Sequence, residues 1–307
     1  METYDDILRS ELDAALALLL APPSGNEPAD STSIAGFLDY LDSSPATWLG
    51  LRSGSPGTPT GLFFALLLPG RTAIVLVPAP DRHGIDPQAQ TLVAAAGLAR
   101  LAEHRLHFAQ TLLEPEATAK QELLERVGFK PLAPLIYLER DAVFPWVDPP
   151  AHDDATWTTY GPEAHDEFIR VLRATYQDSL DCPELSDLRP AADAMESHRA
   201  SGRFAPRFWE LIRVDGQLAG CLLLAPLACA PVMEVVYMGV CPGVRRRGVG
   251  ALLLRRALEQ SRNADMRRLT LVVDGRNAPA RRLYDAFALR PVARRNASLY
   301  VWPPHNA

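Results

Sequence analysis

A run of apolar, strand-like residues from Met233 to Val240 gives way to a helical run from Ala251 to Ser261 through Arg245-Arg246-Arg247-Gly248-Val249-Gly250. This junction constrains the chain more than any other stretch. Glycines let the backbone approach a ligand and turn its N–H groups outward, and the following helix adds unsatisfied donors and the positive end of its dipole. Arginine on the entry turn supplies further positive charge. The junction therefore reads as a phosphate site. It lacks the Gly-Lys-Ser/Thr of a P-loop, and Gly248-Val249-Gly250-Ala251-Leu252-Leu253 lacks the third glycine of a dinucleotide fingerprint.

The flanking residues narrow the choice. Val240-Cys241-Pro242-Gly243-Val244-Arg245-Arg246-Arg247-Gly248-Val249-Gly250 resembles the V-x-P-x-x-R-x-x-G-x-G segment of the GNAT acyltransferase superfamily. After a strand-like run from Leu269 to Val273, Asn277-Ala278-Pro279-Ala280-Arg281-Arg282-Leu283-Tyr284-Asp285 resembles the N-x-x-A-x-x-L-Y-E helix of the same superfamily. The resemblance covers the chain from about Thr156 onward. It implies an α/β (α+β) fold with a mixed, mainly antiparallel sheet flanked by helices. It also implies that acetyl-CoA is the acyl donor, its pyrophosphate held by the backbone around Arg245, Arg246, Arg247, Gly248, Val249 and Gly250. Met238 and Val240 would lie along the pantetheine and the thioester carbonyl, and Asn277 would bond the pantetheine arm. Capping of its own helix explains Asn277 equally well.

The first half repeats part of this pattern. Leu123-Leu124-Glu125-Arg126-Val127-Gly128-Phe129-Lys130-Pro131-Leu132 recurs as Leu283 to Val292, 160 residues later. The same offset sets Gly248 and Gly250 on Gln88 and Gln90, Arg245 on Ile85, Glu234 on Ile74 and Tyr284 on Leu124. The expectation is two GNAT-type domains: 1–145, degenerate and without a cofactor loop, and 155–307, catalytic. The Pro-rich stretch from Phe144 to Asp154 reads as the linker. In outline the arrangement is similar to that of mycothiol synthases, a likeness of architecture that does not identify an acceptor.

Composition excludes several classes. With 48% hydrophobic and 22% charged residues among 307, the chain is globular, and its net charge of -6 argues against wrapping nucleic acid. Four cysteines without C-x-x-C spacing suggest buried thiols in a reducing compartment and no metal site. The apolar run from Leu16 to Pro22 is too short to span a membrane and follows acidic residues, so the expected location is the cytoplasm.

Acyl transfer to an amine needs a base, polarisation of the thioester carbonyl and a proton for the departing thiolate. Glu234 lies where several GNAT enzymes carry the general base; the alternative is a strand carboxylate facing water. Tyr284 aligns with the tyrosine that protonates the thiolate in many members; the alternative is an aromatic packed beside Leu283 and Phe287. Backbone N–H groups near Met238 to Val240 would polarise the carbonyl. Asp178, Asp181, Glu184 and Asp187 surround Cys182, either as a rim that attracts a cationic amine or as a solvated loop. Where Gly-Phe normally follows the tyrosine helix, Ala288-Leu289 stands, and an altered turn is expected. The function implied is transfer of acetyl from acetyl-CoA to a primary amine, small molecule or peptide. The alternative is a non-catalytic acyl-CoA-binding module.

Overall fold

The computed structural model describes residues 4–22, 27–80, 82–143, 154–227 and 230–302. In chain order the elements are β1 (Asp5–Asp6), α1 (Leu12–Leu19), α2 (Ser31–Ser43), β2 (Thr47–Ser55), β3 (Thr58–Leu68), β4 (Thr72–Leu76), α3 (Pro87–Ala102), β5 (Phe108–Leu113), α4 (Thr118–Arg126) and β6 (Lys130–Asp141). The second half adds β7 (Thr156–Thr159), α5 (His165–Tyr176), α6 (Ala191–Ala200), β8 (Trp209–Val214), β9 (Gln217–Pro226), β10 (Val232–Val240), α7 (Val249–Asn263), β11 (Arg268–Asp274), α8 (Ala278–Ala286) and β12 (Arg290–Tyr300). Most of the linker stretch, 144–153, and Cys229 lie outside the described residues.

The chain forms two compact units, Met1–Leu132 with Arg295–Ala307, and Ala133–Arg294. The division differs from a cut at the Pro-rich stretch, because each half gives its last strand to the other half's sheet. In the first unit β1, β2, β3 and β4 run antiparallel in sequence, β4 pairs parallel with β5, and β5 pairs antiparallel with residues 296–300 of β12. In the second unit residues 135–141 of β6 pair antiparallel with β11, followed by β10, β9, β8 and β7. Strand propensity alone carries no information on the partner of β6. The partner is visible in the packing: Ile136 and Leu138 of β6 join Leu271, Val273 and Leu289 in the core of the second unit. Each such side chain contributes about 1.5–3 kcal/mol on burial.

Each sheet is covered on both faces. In β3, Phe63 and Ala65 meet α3 while Leu62, Phe64 and Leu66 meet α1 and α2, which is why the run from Leu62 to Leu66 is apolar without alternation. In the second unit Leu222 and Leu224 of β9 face α7, whereas Cys221 and Leu223 face α5 and α6. Helix α5 buries Phe168, Val171, Leu172 and Thr175, the spacing of one helical stripe. The altered turn expected after α8 does not occur. Ala288 adopts φ 58° and Leu289 N–H closes onto the Tyr284 carbonyl at 3.0 Å, as Gly128 and Phe129 do after α4. Packing of Phe287 and Leu289 in the core outweighs the local strain on alanine.

Candidate active site

Helix α7 begins at Gly248, whose φ of +84° is the left-handed conformation that glycine adopts without strain. Ala251 and Leu252 N–H groups turn back to the Gly248 carbonyl at 2.9 and 3.2 Å. The N–H groups of Arg246, Gly248, Val249 and Gly250 donate to no carbonyl among the described residues. A Cβ on Gly250 would lie 3.2 Å from Leu283 of α8, so glycine also seats the loop against that helix. This donor-rich turn, unopposed by acid in its first helical turn, fits a pyrophosphate.

Strand β10 runs parallel to β11 only from Val232 to Val235, and a bulge lies between Val235 and Tyr237. Beyond it the two strands part, and Met238 to Val240 present an edge with no pairing to β11. Glu234 sits in the last paired stretch, opposite Thr270, and is half-buried. Burial alone raises its carboxyl above the ordinary range.

Tyr284 is 8% exposed on α8, between the α7 face and the parting strands. Its hydroxyl donates to no group among the described residues. Burial first, and then the charge of Asp181, push the phenol well above its ordinary value, so it stays protonated. Asn277 caps α8, its side-chain oxygen accepting the Ala280 N–H at 3.2 Å.

Arg245 has a role that the motif does not reveal. Its guanidinium donates to the carbonyls of Val240 (3.1 Å), Asp178 (2.9 Å), Thr175 (3.0 Å) and Gln177 (2.6 Å). It thus ties the C-terminal end of α5 to the end of β10. The loop after α5 is tied at its other side to β11. Asp274 N–H donates to Asp181 Oδ1 at 2.9 Å and Cys182 N–H returns to Asp274 Oδ2 at 3.1 Å. Arg276 bridges Asp274 Oδ2 (2.7 Å) and Glu184 Oε1 (2.7 Å). Burial alone would raise the Asp274 carboxyl, but the Arg276 hydrogen bonds hold it below the ordinary range. The loop therefore crosses the mouth of the parted strands. Beneath it, Thr175 Oγ1 and Tyr237 Oη lie 2.9 Å apart, and a Cβ on Gly239 would stand 2.7 Å from Thr175. Sequence reasoning found the acidic residues of this loop but not Asp274, Arg276 or Thr175, which carry no local pattern.

The corresponding helix start in the first unit is built differently. Asp86 caps α3, its carboxylate accepting the Ala89 N–H at 2.7 Å, with Pro87 at the first helical position. Gln90 is buried and bonds both backbone groups of Leu62 at 2.8 Å. A carboxylate and a proline stand where the second unit offers free amides.

Among the described residues no group of His, Cys, Asp and Glu is placed to hold a metal ion, and no helix is long and apolar enough to cross a membrane. Cys182, Cys221 and Cys241 are free thiols.

Comparison with known proteins agrees with this geometry. Residues 172–288 match the model of the acetyltransferase (GNAT) family. The chain is 29% identical over 229 residues to a mycothiol acetyltransferase of Beutenbergia cavernae, covering 66% of this chain and 73% of that protein. A mycothiol acetyltransferase of Acidothermus cellulolyticus is 28% identical over 229 residues, covering 70% and 67%. Among solved structures, a GCN5-related N-acetyltransferase from Sphaerobacter thermophilus superposes with a TM-score of 0.65 at 17% identity, covering 97% of this chain and 95% of that one. A tandem GNAT protein from the clavulanic acid biosynthesis pathway gives 0.56 at 16% identity, covering 99% of both chains. Residues 172–288 thus form an acetyltransferase (GNAT) family domain, and the chain as a whole has a fold similar to that of a tandem GNAT protein.

Proposed function

We propose that the second half, from residue 155, is an N-acetyltransferase that passes an acetyl group from acetyl-CoA directly to a primary amine in a ternary complex. The observation that carries this reading is the turn of unpaired amides at the start of α7, which follows directly on the edge of β10 that β11 leaves unpaired. The N–H groups of Arg246, Gly248, Val249 and Gly250 hold the pyrophosphate of acetyl-CoA, which supplies the activated acetyl thioester. Arg245 acts by holding the turn, and Arg246 and Arg247 add positive field. The edge from Met238 to Val240 orients the thioester and polarises its carbonyl. Glu234 takes a proton from the amine, directly or through water; its raised proton affinity suits a base working near neutral pH. Tyr284 gives its proton to the departing thiolate, and burial ensures that the proton is present. We further propose that the first half, through residue 145 of the sequence, is a degenerate GNAT domain, since Asp86 opposes a pyrophosphate at the start of α3.

Release of free coenzyme A in the presence of a library of primary amines tests the reaction. The library includes the acceptor of the mycothiol acetyltransferases, to which this chain is similar. Binding of acetyl-CoA without release would favour a non-catalytic module. For the base, an amine with a pKa near 10.4 is almost wholly protonated at neutral pH. Glu234→Gln is expected to lower kcat/KM there and to recover in part as the pH approaches the amine's own pKa. A pH–rate profile that overlays the wild type would assign deprotonation to solvent.

A further inference from the structure

The edge of β10 that β11 leaves unpaired is held by side chains of α5 and α6. Cys241 N–H donates to the Ala219 carbonyl, so the alternation of an antiparallel ladder turns the Gly239 N–H to β9 and those of Met238 and Val240 to the side where β11 is absent. Gly239, between these two amides, is packed too closely for any side chain. A Cβ there would stand 2.7 Å from Thr175 and 2.8 Å from the Tyr237 ring, and a Cβ on Gly220 of β9 would run into the Gly239 carbonyl. Thr175, in the last turn of α5, ties both ends of this edge. Its carbonyl accepts from Arg245 at 3.0 Å, and the same guanidinium holds the Val240 carbonyl at 3.1 Å. Its hydroxyl lies 2.9 Å from the phenol of Tyr237, the residue at which the register resumes after the bulge. A hydroxyl has one proton, and Thr175 gives its own to the Leu172 carbonyl at 2.8 Å, so Tyr237 is the donor of the pair. The Tyr237 ring is fixed as well. Tyr176 meets it edge-on at 5.5 Å and His198 of α6 lies tilted over it at 5.1 Å, with Tyr176 Oη and His198 Nε2 3.2 Å apart.

We propose that Tyr237 and Thr175 are positioning residues for acyl transfer, and that the hydrogen bond between them sets the Met238 and Val240 amides where the thioester carbonyl gains negative charge. The inference rests on the reading of the site as an N-acetyltransferase. Amides stabilise a developing oxyanion only if they already stand in place, since their advantage over water is that they need no reorganisation during the reaction. Beyond the bulge β10 has lost one of its two ladders, and the fastening that β11 would have given comes instead from α5. Neither side chain needs to touch the substrate. Thr175 is 3% exposed, and both bonds of its hydroxyl stay within the protein. Burial first raises the Tyr237 phenol well above its ordinary value, so the proton that it donates is present. Packing of Tyr176, His198 and Tyr237 uses the rings alone; the Tyr237 hydroxyl is what connects the start of the edge to the residue whose carbonyl Arg245 shares with its end.

Two measurements on the full chain test this. In the first, the amide ¹H–¹⁵N resonances of Met238 and Val240 are followed as coenzyme A or acetyl-CoA is added, since only the second carries a carbonyl. In the wild type acetyl-CoA is expected to move one or both amides further downfield than coenzyme A does. Tyr237→Phe keeps the ring and removes the hydroxyl, and is expected to lose about half or more of that difference while its affinity for both ligands stays within about threefold. No carbonyl-specific shift in the wild type, or an equal one in Tyr237→Phe, overturns the proposal. In the second, Tyr237→Phe and Thr175→Val are each expected to lower kcat for an accepted amine about 10- to 100-fold with both KM values within about threefold. The double variant is expected to lose little more than either single one, and Thr175→Ser, which keeps the hydroxyl, to restore most of kcat. Unchanged kcat in Tyr237→Phe, or a rise of both KM values in step with its loss, returns the pair to packing. Tyr237→Phe and Thr175→Ser carry the comparison if Thr175→Val fails to fold. A wild type that releases coenzyme A with no amine would instead sink the acetyltransferase reading, while the amide shifts would still decide whether the Tyr237 hydroxyl sets the edge.

Discussion

Arg245 is the motif residue whose sequence-based role and structural role differ most, and one substitution separates them. A phosphate-contacting arginine would cost donor affinity and little stability, whereas a clamp would cost stability first. The guanidinium serves four carbonyls, and those of Gln177 and Asp178 belong to exposed residues that water resolvates readily. Thr175, at 3% exposure, and half-buried Val240 are less easily rescued. Hydrogen bonds from a charged donor contribute about 1.5–3 kcal/mol each, and partial exposure reduces this to about 1–1.5. Arg245→Ala is therefore expected to lose about 2–3 kcal/mol, which lowers the melting temperature by about 4–12 °C in a unit of this size. Arg245→Lys keeps the charge but reaches fewer carbonyls, and should fall between. Calorimetric melting and amide hydrogen exchange over residues 175–188 report the loss directly. An unchanged melt and unchanged exchange, with acetyl-CoA binding weakened tenfold or more, would refute the clamp and return Arg245 to the phosphates.

Gly248→Glu is expected to abolish acetyl-CoA binding, because it strains a backbone at φ +84° and sets a carboxylate against the pyrophosphate. In the wild type, calorimetry should give close to one acetyl-CoA per chain, and two equivalent sites would refute the reading of the first half as degenerate. Tyr284→Phe should reduce kcat by about 10²-fold or more with acetyl-CoA affinity nearly unchanged, and normal turnover would leave Tyr284 a packing role. Ala288→Gly should stabilise the protein by about 0.5–1.5 kcal/mol in denaturant melts, since it relieves a left-handed alanine; a loss of stability would show that the alanine is not strained.

The glycine turn before α7 and the tyrosine helix are legible in the sequence because each is a contiguous motif whose local geometry dictates its residues. Gly248 must accept a positive φ, and Asn277 must start a helix two residues before Pro279 can no longer donate. What escaped is non-local. Asp274 and Arg276 become a latch only when Cys182 and Glu184, more than ninety residues earlier, fold against them. The first 55 residues, with α1, α2 and β2, carry no motif to anchor them. Ala288 misled for the opposite reason: local propensity argued for a changed turn, and two buried side chains beside it, Phe287 and Leu289, overrode that preference.

The exchanged strands explain why a half that lacks the amide-rich turn still matters to the half that has it. Leu135–Asp141 of β6 covers the edge of β11, and Ile136 and Leu138 enter the same core as Tyr284. Arg140 reinforces the position by donating to the Phe287 carbonyl, one residue before the Ala288 turn that ends the tyrosine helix. In return Tyr300 packs on Phe129 at 5.6 Å, and Trp302 donates to the Leu98 carbonyl at 3.2 Å. The start of α3 is satisfied without an amide-rich turn, since Asp86 caps it and Gln90 bonds the Leu62 backbone with ordinary side chains. Loss of β6 would instead strip β11 of an antiparallel partner and expose apolar surface beside the proposed general acid. A half can therefore lack such a turn and still keep its sheet, while the strand it contributes to the second unit packs into the core that holds Tyr284.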